Sequence, residues 1–177
     1  MNRISSGVRA KAKRIQLLLL DVDGVLTDGR IIIDERGIET KQFDVRDGQG
    51  IALLLQSGIE VGFITSRVSA SVRYRARELG VKLVRQGVKN KLQAYDEIKR
   101  RRGLKDIHIA YIGDDIVDLP ILRRAGLSLC VPDSAPELMP NVDLVTAARG
   151  GMGAVRETAE LLLHAQGKWP GLMKLFR

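Results

Sequence analysis

Six short apolar runs set the strongest limit on how this chain can fold: Ile15–Leu20, Ile59–Ile64, Val81–Val84, Ile107–Ile112, Leu127–Val131 and Val142–Val145. A strand with one wet face alternates apolar and polar residues. These runs are apolar at nearly every position, the pattern of strands covered on both faces, as in a parallel sheet. Helical patterns lie between them. Val68, Val72, Ala76 and Leu79 recur at helical spacing, with Arg73, Arg75 and Arg77 off that stripe. A second helix is predicted from about Lys89 to Arg102, stopping at Gly103, and a third from near Asp118. A fourth follows Gly153 and carries Val155, Ala159 and Leu162 on one side. Strand–helix alternation of this kind predicts an α/β fold with a doubly wound, Rossmann-like parallel sheet. Aromatic residues make only 4% of the chain, so the core must be built of Leu, Ile, Val and Ala. Cys130 and His108 fall inside strand runs and His164 on the last helix, and all three read as packing or surface residues.

One segment breaks the alternation. GRIIIDERGIETKQFDV, residues 29–45, reads as two short strands around a turn at Asp34–Gly37. This β-hairpin insertion after the first strand would project from the carboxyl end of the sheet, where ligands bind in such folds. The expected organisation is one domain over residues 15–166, preceded by a basic extension (1–14) and followed by a tail (167–177).

The first strand run ends in LLLLDVDGVLTDG, which delivers Asp21 and Asp23 to that carboxyl edge. A loop cap explains such residues equally well when they stand alone. They do not stand alone. FITSR brings Thr65 and Ser66 to the same edge, YIGDDIVD brings Asp114, Asp115 and Asp118, and Lys91 opens the helix after Val81–Val84. Gathered carboxylates repel unless a cation sits among them, and hard oxygen ligands suit Mg²⁺, which keeps waters and bridges to phosphate.

In this order DVDGVLTDG, the threonine of FITSR, Lys91 and GDDIVD resemble the four motifs of the haloacid dehalogenase-like phosphotransferases. The resemblance implies that Asp21 is the nucleophile and Asp23 the acid and base. It implies that Thr65 and Lys91 hold phosphate, and that Mg²⁺ binds Asp21, the Asp23 backbone carbonyl and Asp114. Asp115 and Asp118 would support the site, one of them orienting Lys91 or metal waters; a helix N-cap is the alternative for either. FDVRDGQGI, QGVKNKL, AYIGDDIVDLP and GGMGAVRE extend the similarity to the capless, homotetrameric branch that dephosphorylates 3-deoxy-D-manno-octulosonate 8-phosphate, a lipopolysaccharide precursor. That branch implies a sugar-acid substrate near Arg46, Asp47 and Arg67. Only 43 residues separate Asp21 from Thr65 and 22 separate Lys91 from Asp114, which leaves no room for a cap domain. The chain departs from many relatives at Ser66, where glycine is common, and at Val68–Ser69, where a lysine is common.

The net charge of +8 admits nucleic acid as a partner, but no aromatics interleave with the basic residues, so a base-stacking surface is not expected. The apolar run after the basic N-terminus is too short for a signal peptide, and no run is long enough to span a membrane, so a cytoplasmic protein is expected. Competing readings keep the chemistry on another substrate, such as a sialic-acid-type 9-phosphate, or make the tetramer a non-catalytic binding module. The glycines of RGGMG (149–153) read as a plain connection or an anion-binding turn.

Overall fold

β1 (Leu17–Leu20) is buried at all four positions, and it splits the core in two. Leu18 and Leu20 face one hydrophobic cluster, Leu17 and Leu19 the other. That is what a continuous apolar run does when both sheet faces are covered. The computed structural model describes residues 4–176. Around β1 lie β2 (Ile32–Ile33) and β3 (Glu39–Thr40), then β4 (Glu60–Ile64), β5 (Leu83–Arg85), β6 (Ile109–Gly113), β7 (Leu127–Cys130) and β8 (Leu144–Val145). The main sheet runs β5-β4-β1-β6-β7-β8, every pairing parallel, with Leu20 opposite Phe63 on one side and Ile112 on the other. β2 and β3 form a separate antiparallel hairpin directly after the first strand.

The helices fill both layers. α1 (Ser6–Ala12), α2 (Val45–Gln56), α3 (Ala70–Glu78) and α6 (Ala154–Ala165) cover the Leu18–Leu20 face. α4 (Lys91–Arg102) and the short α5 (Leu119–Leu122) cover the other, through Ala94, Tyr95, Ile98, Ile121 and Leu122. α4 is capped as its sequence dictates: the Asn90 side chain accepts from Gln93 N, and Gly103 ends the helix at φ +64°. α2 packs on α6 through Gly50, where a Cβ would lie 2.9 Å from the Arg156 Cα. A glycine is required there for the two helices to approach.

Several boundaries differ from the sequence reading. α2 falls outside the four helical patterns of the sequence, because Gly48 and Gly50 dilute its apolar stripe. The basic N-terminus is a helix whose Val8 and Ala12 are buried, with Lys11 paired to Asp143 at 2.5 Å. α3 starts at Ala70, so Val68 is exposed rather than on the buried stripe. His108 sits in a 3₁₀ turn before β6, not in a strand. Within the tail, α7 (Trp169–Met173) folds back on α6: Trp169 stacks on His164 at 4.8 Å and Leu172 is buried. Gln166, just before it, bonds the backbone oxygens of Ala12 and Ile15, which sets this end of α6 at the amino edge of the sheet.

Candidate active site

At the carboxyl edge, Asp21 follows β1 and its N–H bonds to Ile112 O of β6 at 3.0 Å, so the central strand holds the residue in line. The chain then turns sharply through Gly24 at φ +90°. A Cβ at Gly24 would lie 2.0 Å from Asp114 Oδ2, so only glycine lets Asp114 close on the first loop. The second support for that loop comes from the RGGMG stretch. Gly150 packs so tightly that a Cβ would sit 1.8 Å from Gly24 O, and Gly151 N donates to Val25 O at 2.9 Å. These glycines are a clamp on the first loop, and their signal in the sequence was the unbroken Gly-Gly pair.

Lys91, the first residue of α4, is the electrostatic centre. Its Nζ lies 2.9 Å from Asp21 Oδ2 and 2.7 Å from Asp118 Oδ1, with its side chain 4% exposed. Burial disfavours its charge, yet the two carboxylates raise its pKa above the usual lysine value. Asp118, fully buried, also accepts from Tyr111 Oη at 2.5 Å and, through Oδ2, from the backbone N–H groups of Asp114 and Asp115 at 3.1 and 3.3 Å. Asp118 therefore orients Lys91. Asp115 caps the 3₁₀ turn at Ile116–Asp118 and its carboxylate bonds Ile116 N at 2.7 Å. Tyr111 went unnoticed in the sequence, though a lone hydroxyl two residues before GDD on a buried strand needs a partner.

Carboxylate oxygens of Asp21, Asp114 and Asp118 lie within 4.8 Å of one another, and Asp114 Oδ1 is buried with no hydrogen-bond partner among the described residues. Burial, and then Asp118, push Asp21 up to about 6; burial, and then Asp21, push Asp114 up to about 8. Lys91 is engaged by Asp21 and Asp118, which leaves the orphaned Asp114 oxygen as a vacant acceptor beside Asp21. A hard divalent cation satisfies both the oxygen and the repulsion, so the donor set fits Mg²⁺.

Asp21, Asp23, Thr65, Arg67, Lys91, Asp114 and Asp115 line one cleft of about 240 Å³. Thr65, buried at the end of β4, faces Asp23 Oδ2 at 3.5 Å. Arg46 and Asp47 are not in it. Arg46 is exposed on the first turn of α2, bonded to Asp44 at 2.7 Å and to Met152 O at 3.0 Å. Asp47 is fully buried and accepts from Gly153 N and Arg156 N at 3.2 and 2.8 Å. The structure thus uses Asp47 to tie the start of α2 to the start of α6, and not to line the cleft. Arg67 does reach the cleft, with Nη2 2.6 Å from Glu39 Oε1. Glu39 and Lys41 were missed. The hairpin carries both to the edge: Lys41 Nζ meets Asp23 Oδ1, and lies 3.2 Å from Glu39 Oε1. The two-residue spacing, which puts both on one side of a strand, was their signal.

Carboxylates, a threonine and the buried Lys91, gathered at the carboxyl edge of a parallel sheet in an uncapped cleft, are the groups that metal-dependent phosphoryl transfer calls for. A family model described as haloacid dehalogenase-like hydrolase matches residues 81–155. The 3-deoxy-D-manno-octulosonate 8-phosphate phosphatase KdsC of Escherichia coli (strain K12) is 47% identical over 165 residues, spanning 93% of this chain and 88% of that one. The Yersinia pestis protein of the same name is 43% identical across 95% of this chain and 90% of its own. The crystal structure of the Moraxella catarrhalis enzyme, in complex with magnesium, phosphate and KDO, superposes with a TM-score of 0.94 at 44% identity, covering 96% of this chain and 98% of that one. The chain belongs to the 3-deoxy-D-manno-octulosonate 8-phosphate phosphatases of the haloacid dehalogenase-like hydrolases.

Proposed function

We propose that this chain hydrolyses 3-deoxy-D-manno-octulosonate 8-phosphate to the free sugar acid and phosphate, with Mg²⁺ as cofactor and Asp21 as nucleophile. The observation that carries the reading is the Lys91 ammonium held between Asp21 and Asp118, with the orphaned Asp114 oxygen alongside. Asp21, Asp114 and the Asp23 backbone carbonyl would hold the ion, which when bound supplies positive charge to the transferring phosphoryl group. Lys91 and Thr65 bind phosphate oxygens. Lys91 also favours the ionised form of Asp21, opposing burial and Asp118, which still leave its pKa raised to about 6. Asp21 bonds to phosphorus as the phosphorus–ester bond breaks. The ester oxygen keeps the electron pair and takes a proton from Asp23. Water then bonds to phosphorus, passes its proton back to Asp23, and the electron pair of the Asp21–phosphorus bond returns to Asp21.

Arg67 is the group in this reading that meets the sugar-acid carboxylate, since a guanidinium suits it bidentately and Arg67 lines the cleft. Arg46, outside the cleft, contributes at most through α2. The open cleft needs a cover to exclude water. We assign that role to neighbouring subunits of a homotetramer assembled through the hairpin, whose Ile31, Ile32, Ile33 and Ile38 are 43–58% exposed. The compartment in this reading is the cytoplasm, in keeping with a single, buried cysteine.

A panel of sugar phosphates at matched concentrations, with and without Mg²⁺, tests the substrate. A clear preference for the octulosonate ester is expected; a flat profile, or preference for a nine-carbon 9-phosphate, would replace it. Light scattering tests the assembly, and a monomer at working concentration would remove it.

A further inference from the structure

The hairpin is almost wholly in water: every residue from Ile31 to Ile38 is exposed. Lys41, three residues on, is the opposite, with its side chain only 1% exposed. Burying an ammonium demands partners, and Lys41 has two. Its Nζ meets Asp23 Oδ1 and lies 3.2 Å from Glu39 Oε1. Glu39 in turn holds Arg67 at 2.6 Å. The remaining Asp23 oxygen, Oδ2, accepts from the Thr65 hydroxyl at 3.5 Å, a long bond from a group that, unlike an ammonium, can turn its proton elsewhere and accept in its place.

An ammonium only donates hydrogen bonds. A carboxyl oxygen that receives one cannot at the same time point a proton at it. Left alone, a carboxyl also turns freely about its last bond, because that torsion is broad and two-fold. Lys41 removes both ambiguities by fixing which oxygen faces the hairpin and which faces the cleft.

We propose that Lys41 is a positioning residue for the leaving-group step: by gripping Asp23 Oδ1 it keeps Oδ2 turned into the cleft as the oxygen that passes the proton. The proposal rests on the aspartyl-phosphate reading above and adds to it the coupling of hairpin to catalysis. An unseated hairpin takes Lys41 away and leaves Asp23 unaimed.

The test is Lys41→Met, assayed at saturation with Mg²⁺ on two esters. One is the alkyl phosphate that the wild-type enzyme turns over fastest in the panel above. The other is p-nitrophenyl phosphate, whose phenolate departs with little help from an acid. Lys41→Met is expected to lose about 10²-fold in kcat on the alkyl ester, the low end of what general acid catalysis contributes, and at least about tenfold less on the aryl ester. The ratio of the two rates on one preparation is independent of how much of the variant is folded. Equal losses on both esters would make Lys41 a mere anchor and overturn the proposal, as would an undiminished alkyl rate. Asp21→Asn separates this from the underlying reading: it should abolish both activities, and a variant that keeps them defeats the aspartyl-phosphate route itself.

Discussion

Asp114→Asn exchanges one buried carboxyl for a neutral group of nearly the same shape, and its effect can be worked out from the acidic cluster. Burial and Asp21 lift the Asp114 carboxyl from 3.8 to about 8 in the metal-free protein. Between those values the folded chain binds more protons than the unfolded chain. Metal-free stability therefore falls as pH rises through that window, and is level above it. At pH 7, most of the way through the window, that loss amounts to about 4 kcal/mol. Asp21 shares the same repulsion, so the part recovered by neutralising Asp114 alone is about half, ~2 kcal/mol. For a domain of this size that raises the melting temperature by about 4–8 °C. The assay is thermal unfolding in chelator and in Mg²⁺, from pH 5 to 8. The variant should melt higher than wild type in chelator near pH 7, lose the gap as the pH falls, and gain little from Mg²⁺. A metal-free melting point at or below wild type at pH 7, with an undiminished response to Mg²⁺, would refute the argument that these carboxylates are held together for a cation.

Other substitutions follow from the same contacts. Lys91→Met strips Asp21 and Asp118 of their shared cation and should lower kcat by about 10² or more, read by phosphate release. Asp47→Ala unties two backbone N–H groups at the start of α6 and should cost about 1–3 kcal/mol in denaturant unfolding, with KM for the sugar phosphate changing less than it does in Arg67→Ala. Gly150→Ala drives a Cβ into Gly24 O and should displace the first loop, seen as a raised Mg²⁺ requirement before any loss of secondary structure. Each would be mistaken if the corresponding parameter stayed at its wild-type value.

The sheet was legible because strands buried on both faces leave unbroken apolar runs, and the site was legible because those runs end in carboxylates. Asp21, Asp23, Thr65, Lys91 and Asp114 converge for that reason. What was not legible involves partners distant in sequence. Asp47 reads as a charge near a pocket, yet it accepts from the N–H groups of Gly153 and Arg156 at the start of α6, more than a hundred residues away. Lys41 reads as one more surface lysine on a basic chain, and only the fold of the hairpin brings it to Asp23. The glycines at 24, 150 and 151 look like loose turns, whereas close approach is what selects them. α1 and α2 escaped notice because charge in one and glycine in the other mask a short buried stripe.

The most direct trial of the central claim is to quench Mg²⁺-dependent turnover with acid, using a substrate labelled in its phosphate, and to map the label on the chain. It should be found on Asp21 and be absent from Asp21→Asn. Label on another residue, or none in a protein that is turning over, would contradict the account.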